Sequence, residues 1–117
     1  MERKANVILQ KTLDFALQII DYCELLESKK KYVIARQLLK SGTSIGANIH
    51  EAQNAESKVD FVHKIKIAAK EIDETGYWLK LCLLSKHYPD PINVDIQLLE
   101  IAKICTRIIY TSKQKKN

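Results

Sequence analysis

Histidine, cysteine and clustered carboxylate are the side chains here that could do chemistry. His50, His63 and His87 form neither an HxxxH nor an ExxH pair, and no cysteine stands at a matching spacing. A tetrahedral metal set is therefore not encoded. Cys23, Cys82 and Cys105 are odd in number, far apart, and each set among apolar neighbours. That is the pattern of small buried thiols in a reducing compartment, not of a disulfide framework. Glu71, Asp73 and Glu74 crowd one stretch of helix, yet charges on a helix face are ordinarily solvated. With no GxSxG, no Gly-rich phosphate loop and no Cys/His constellation, the expectation is a protein without catalytic centre, metal or cofactor.

Basic residues are the remaining functional signal. Arg36 and Lys40 are i,i+4 neighbours, as are Lys103 and Arg107, and Lys113, Lys115 and Lys116 follow. Such side chains can neutralise phosphates additively and with strong salt dependence. Lys and Arg outnumber Asp and Glu by 19 to 14, for a net charge of +5. That excess also fits a plain solvated surface. No aromatic sheet platform or GXXG clamp is present, so any RNA contact should tolerate many sequences.

Four helices must position these groups. Apolar periodicity predicts them at about 6–27, 32–54, 57–86 and 93–112. In the first, Leu9, Leu13, Ala16, Leu17, Ile20 and Cys23 are the expected inner face. In the second it is Ile34, Leu38, Ser41, Ile45, Asn48 and Ala52, flanked by Ala35, Gly42 and Ile49. In the third, Val62, Ile65, Ala69, Ile72, Gly76, Leu79 and Leu83 repeat at threes and fours, with Phe61, Ala68, Thr75 and Cys82 widening the stripe. In the fourth, Leu98, Ala102, Cys105 and Ile109 face inward, supported by Ile101 and Ile108. Ser57 is the expected N-cap of the third helix, with Asp60 in its first turn. Pro89 and Pro91 close it. Short connections force antiparallel neighbours, so the fold expected is all-α, an antiparallel up-down-up-down four-helix bundle in a single domain.

Two glycines inside the second helix cost roughly 1 kcal/mol each relative to alanine. Close helix approach is the compensation expected. Folding the second and third helices about a turn near residues 55–56 sets Gly42 and Gly46 against Ala68 and Ala69. Asn48, on an otherwise apolar seam, is expected to fix register by hydrogen bonding. A second apolar stripe on the third helix, Ile67, Trp78 and Leu81 with Glu71 and Glu74 between, faces away from the seam. A monomer has no reason to expose it, so it is the expected interface between copies of the chain.

Residues 37–81, from QLLK through SGTSIGANIHEAQNAESKVDFVHKIKIAAKEIDETGYWLKL, resemble the core signature of the four-helix-bundle proteins related to the intervening sequences of bacterial 23S ribosomal RNA genes. The resemblance extends in layout over about residues 6–112. It implies a homopentameric ring with no established enzymatic activity and an association with RNA or a nucleic-acid-processing partner. Gly76 departs from the pattern, where relatives carry glutamate between threonine and tyrosine. The polar N-terminus and short apolar runs lead to the expectation of a cytoplasmic protein that does not enter the membrane. The competing reading is a purely protein-binding module with no nucleic-acid role.

Overall fold

In a computed structural model the chain is described from residue 2 to 114, with side chains described from 7 to 113. Four helices run α1 Glu2–Ser28, α2 Tyr32–Ala52, α3 Lys58–Leu84 and α4 Ile92–Gln114. Lys115 and Lys116 lie outside the described residues. The bundle measures 51 × 22 × 20 Å.

Local chemistry sets the ends. At the end of α1 the Lys30 N–H donates to the Glu27 carbonyl and the Lys31 N–H to the Leu26 carbonyl, both at 2.9 Å. With Lys30 at φ 65° this is a left-handed helix stop, made by lysine where glycine is usual. Ser57 caps α3 as expected: its Oγ accepts from the Asp60 N–H at 3.0 Å. The loop before α4 is pinned to α1, because the Tyr22 hydroxyl donates to the Pro89 carbonyl at 2.6 Å. Lys31 Nζ sits 5.0 Å from the Tyr88 ring centre, so the two loops at this end of the bundle meet each other.

Each helix packs on its sequence neighbours, and α1 also meets α4. Cross-helix contacts set the direction of travel. Lys11 meets Glu100 and Gln18 meets Gln97 across α1 and α4. Ser41 meets Thr75 and Glu51 meets Lys64 across α2 and α3. Gly42 lies against Ile19 and Gly46 against Thr12 across α1 and α2. In every pair residue numbers rise on one helix as they fall on the other. The topology is therefore up-down-up-down, with α1 diagonal to α3 and α2 diagonal to α4.

The core departs from expectation most in α1. Its buried residues are Ile8, Thr12, Phe15, Ile19, Tyr22, Cys23 and Leu26. Leu13, Leu17 and Ile20, expected inside, face out. The polar Thr12 and Tyr22 misled the pattern. Thr12 Oγ1 donates to the Ile8 carbonyl at 2.8 Å, and Tyr22 reaches Pro89, so both are buried with their hydrogen bonds made. In α3 the buried set is Ile65, Ala68, Ile72, Thr75, Leu79 and Cys82. Residues expected at the edge of that stripe form its centre, and Leu83 is exposed.

The close approach is real but its partner is different. A Cβ added to Gly42 would stand 2.9 Å from Ile19 Cγ1 and Cγ2, and one on Gly46 3.3 Å from Thr12 Cβ. The glycines let α1, not Ala68 and Ala69 on α3, come near. Ser41 opposite Thr75 and Glu51 opposite Lys64 also set Gly42 and Gly46 beside residues near 70–74. That is about one turn beyond the level expected.

Candidate functional site

The described residues hold no cluster of three or more His, Cys, Asp and Glu placed to bind a metal ion. His50, His63 and His87 are all exposed and scattered: one beside the α1–α2 groove, one near the start of α3, one in the α3–α4 turn at φ 69°. The three cysteines are free and buried. Burial pushes the Cys23 thiol up to about 12 and that of Cys105 up to about 11, and raises Cys82 as well. Thiols so held stay protonated and are poor nucleophiles. Burial likewise raises the Tyr22 phenol.

The buried polar feature of the bundle is a hydroxyl pair. Thr75 Oγ1 donates to Ser41 Oγ at 2.9 Å, and both residues are fully buried. Ser41 Oγ points back to the Leu38 carbonyl at 3.5 Å. This pair, not Asn48, is a buried polar contact between α2 and α3, beside the more exposed Glu51–Lys64 pair. Asn48 is half-buried and its Nδ2 donates to the Ser44 carbonyl of its own helix at 2.9 Å. An amide satisfied within its own turn does not set register between helices.

The expected interface stripe on α3 is partly covered by its own bundle. Trp78 packs against the core, and its Nε1 donates to Glu74 Oε2 at 3.2 Å. Tyr77 meets it edge-on at 5.3 Å. Ile67, Glu71 and Leu81 are half-buried and Glu74 is exposed. Larger uncovered apolar surface lies elsewhere. On α1, Leu13 and Leu17 are each 56% exposed and Ile20 38%. On α4, Ile92 is 44% exposed, Ile96 49% and Leu99 57%. The α4 stripe was open to sequence reading at its four-and-three spacing. The α1 stripe was seen and assigned to the interior.

The basic residues do not converge. Arg36 and Lys40 are exposed on α2, and Lys103 and Arg107 are exposed on α4. Those helices sit across the bundle diagonal. Lys113 lies elsewhere again, lining a small depression of about 220 Å³ with Val59, Val62, His63, Lys66 and Ser112. A wider groove of about 630 Å³ runs between α1 and α2, between Leu9, Leu13 and Ala16 on one side and Thr43, Gly46 and Ala47 on the other. The two grooves share no lining residue.

A model of the 23S rRNA-intervening sequence protein family matches residues 4–110. The chain belongs to that family. Its fold is similar to the crystal structure of a protein of unknown function from the S23 ribosomal protein family of Bacteroides thetaiotaomicron. The TM-score is 0.85 at 41% identity, over 92% of this chain and 98% of that one. A search among curated proteins gives no match. Gly76, unlike Gly42 and Gly46, is not held by close packing. A Cβ there would meet only Leu98 Cδ2, at 3.6 Å, so the glycine is not required by packing. No helix among the described residues is long and apolar enough to cross a membrane.

Proposed function

We propose that this family member is a non-enzymatic, self-assembling bundle that serves as a scaffold or accessory to RNA or to a nucleic-acid-processing partner in the cytoplasm. The observation that carries the reading is the uncovered apolar surface on α1 and α4, where large side chains stand 38–57% exposed. Single exposed apolar residues are ordinary, but triplets on one helix side ask for a partner. Self-assembly covers them without a second gene product. The family resemblance supplies the stoichiometry of five; the stripes themselves do not.

Ring formation also bears on the basic residues. Arg36 and Lys40 meet no acidic partner among the described ion pairs. Repeated around a ring, such a pair becomes a band of positive charge that a phosphate backbone can follow. Filter binding of a structured RNA at low and physiological salt tests this. Binding should weaken steeply with salt and weaken further in Arg36→Glu/Lys40→Glu. Binding indifferent to both would remove RNA from the account.

One observation favours a second reading, a protein-binding module without a nucleic-acid role. The two basic pairs lie on diagonal helices, so one protomer offers no continuous basic strip. Under that reading purified protein carries no nuclease-sensitive absorbance, and the RNA filter assay stays blank at both salt concentrations.

A further inference from the structure

The small depression between α3 and α4 combines features found together nowhere else among the described residues. Val59 and Val62 give it an apolar wall, Lys66 and Lys113 bring a cation from each helix, and Ser112 adds a hydroxyl. No acidic side chain lines it. Neither lysine belongs to an ion pair among the described residues, and both are exposed. Its volume of about 220 Å³ falls short of the roughly 300–1,000 Å³ of a pocket for a whole small molecule. One flat ring or one phosphate group is the scale of occupant it fits.

The surroundings extend the pattern. Tyr110 precedes Lys113 by about one turn of α4 and is 63% exposed. A Cβ on Gly76 would meet Leu98, and Val62 shares the depression with Ser112. Stepping along both helices between these anchors sets Tyr110 about level with Lys66. Lys70 follows Lys66 by one turn, and Lys103 lies on Tyr110's side two turns earlier. The acidic groups of these helices are turned away or lie beyond. Lys64, paired with Glu51, marks the α2 side of α3, and Asp60 is one turn before it on that side. Glu100, paired with Lys11, marks the α1 side of α4. Arg107, two turns further on, shares that side and stands outside the patch. Asp73 and Glu74 end the patch about two turns above Lys66, where Glu74 accepts from Trp78 Nε1.

We propose that this depression grips an unpaired stretch of RNA, with a phosphate between Lys66 and Lys113 and the adjoining base against Tyr110 and Val59. The proposal rests on the RNA reading and names the form of RNA and the place where it is held. Cations without protein partners are free to replace the counterions of a phosphate backbone. An exposed aromatic ring beside them offers a stacking surface, which only a base outside a duplex can use. Lys70 and Lys103 stand where the strand continues along the α3–α4 groove, and their charge adds to the attraction. Nothing in the depression reads base edges, so uridine-rich and mixed strands are held alike. The Arg36–Lys40 pair lies on α2, across the diagonal from α4, and takes no part in the grip.

Fluorescence anisotropy of a labelled oligouridine, and of an RNA duplex of equal length, provides the test. The substituted residues are exposed, so circular dichroism should show unchanged helicity in every variant. Lys66→Ala/Lys113→Ala should weaken oligouridine binding about ten-fold or more at low salt. It should also lower the slope of log affinity against log salt by roughly 1–2, as expected for one or two lost phosphate contacts. Tyr110→Ala should weaken oligouridine binding by about five- to a hundred-fold, the loss of one stacked base. Its salt slope and its duplex binding should stay as in the wild type, an outcome that loss of charge alone does not produce. Arg107→Ala should cost less than either. Oligouridine binding that survives both patch variants would overturn the proposal and leave RNA to another surface. A duplex bound more tightly than oligouridine, with Tyr110→Ala silent, would overturn it too. So would a polyglutamate peptide held as tightly at the same lysines, which would make the partner an acidic protein. Wild-type protein that binds neither RNA at low salt would overturn the RNA reading together with the proposal.

Discussion

The contacts on either side of α1 are built in opposite ways. Toward α2 the helices close on glycine: Gly42 faces Ile19 and Gly46 faces Thr12, with no room for a methyl group at Gly42. Toward α4 the named links are longer side chains, an exposed Lys11–Glu100 pair and the Gln18–Gln97 hydrogen bond. The first contact is bought with backbone freedom in a helix interior, since glycine disfavours helix by about 1 kcal/mol. The second leaves each helix free to present apolar side chains outward. The lesson is that small residues report where this bundle is tight, whereas leftover large ones report where it is unfinished.

The strongest way to break that contrast is to fill the tight side. Gly42→Leu should destabilise by about 1–3 kcal/mol or more, because Ile19 is branched and held between helices. Thermal unfolding reads the effect, and an unchanged melting temperature would show that the two helices do not need to approach so closely. Thr75→Val should cost about 1 kcal/mol, since it removes the cross-helix hydrogen bond and leaves Ser41 with only its weak bond to Leu38. Urea titration measures it. Gly76→Ala sharpens the comparison from the other side. Its Cβ would find ordinary contact with Leu98, so the substitution should stabilise by about 0.5–1 kcal/mol through helix propensity. Loss of stability there would mean that α3 and α4 are as close as α1 and α2. Lys11→Ala, on the open side, should change stability by less than about 1 kcal/mol, as expected for an exposed ion pair.

Alkaline pH tests the interior as a whole. The buried thiols of Cys23 and Cys105 rise from an ordinary 9.0 to about 12 and about 11. Below pH 9 folded and unfolded chains both keep these protons, so their contribution is fully present. As pH climbs from 9 through the folded values, the unfolded chain ionises first and stability falls. Cys105→Ala should flatten part of that decline in denaturant titrations between pH 9 and 11.

Much of the bundle was legible because long periodic helices declare themselves. The Ser57 cap and the approximate helix spans follow from local chemistry that tertiary packing did not override, although α3 ends at Leu84, before Pro89 is reached. The face of α1 was not legible, for a definite reason. Two apolar stripes overlap on that helix, and the purely aliphatic one, Leu13–Leu17–Ile20, looked more core-like than the one containing Thr12 and Tyr22. Burial favoured the mixed stripe because its hydroxyls find acceptors in Ile8 and Pro89. The partner of the glycines was missed for a related reason. Sequence proximity pointed to the α2–α3 hairpin, while the bulky residue that needs the space, Ile19, lies on α1. The basic pairs were visible as pairs, but their separation across the bundle diagonal depends on topology that spacing alone does not give.

The central claim is that the aliphatic stripes on α1 and α4 are uncovered in one chain because another copy covers them. Analytical ultracentrifugation of the wild-type protein at micromolar concentration tests it most directly. The account predicts one sharp species at a fixed multiple of the protomer mass, insensitive to moderate dilution. A single species at the protomer mass would contradict it.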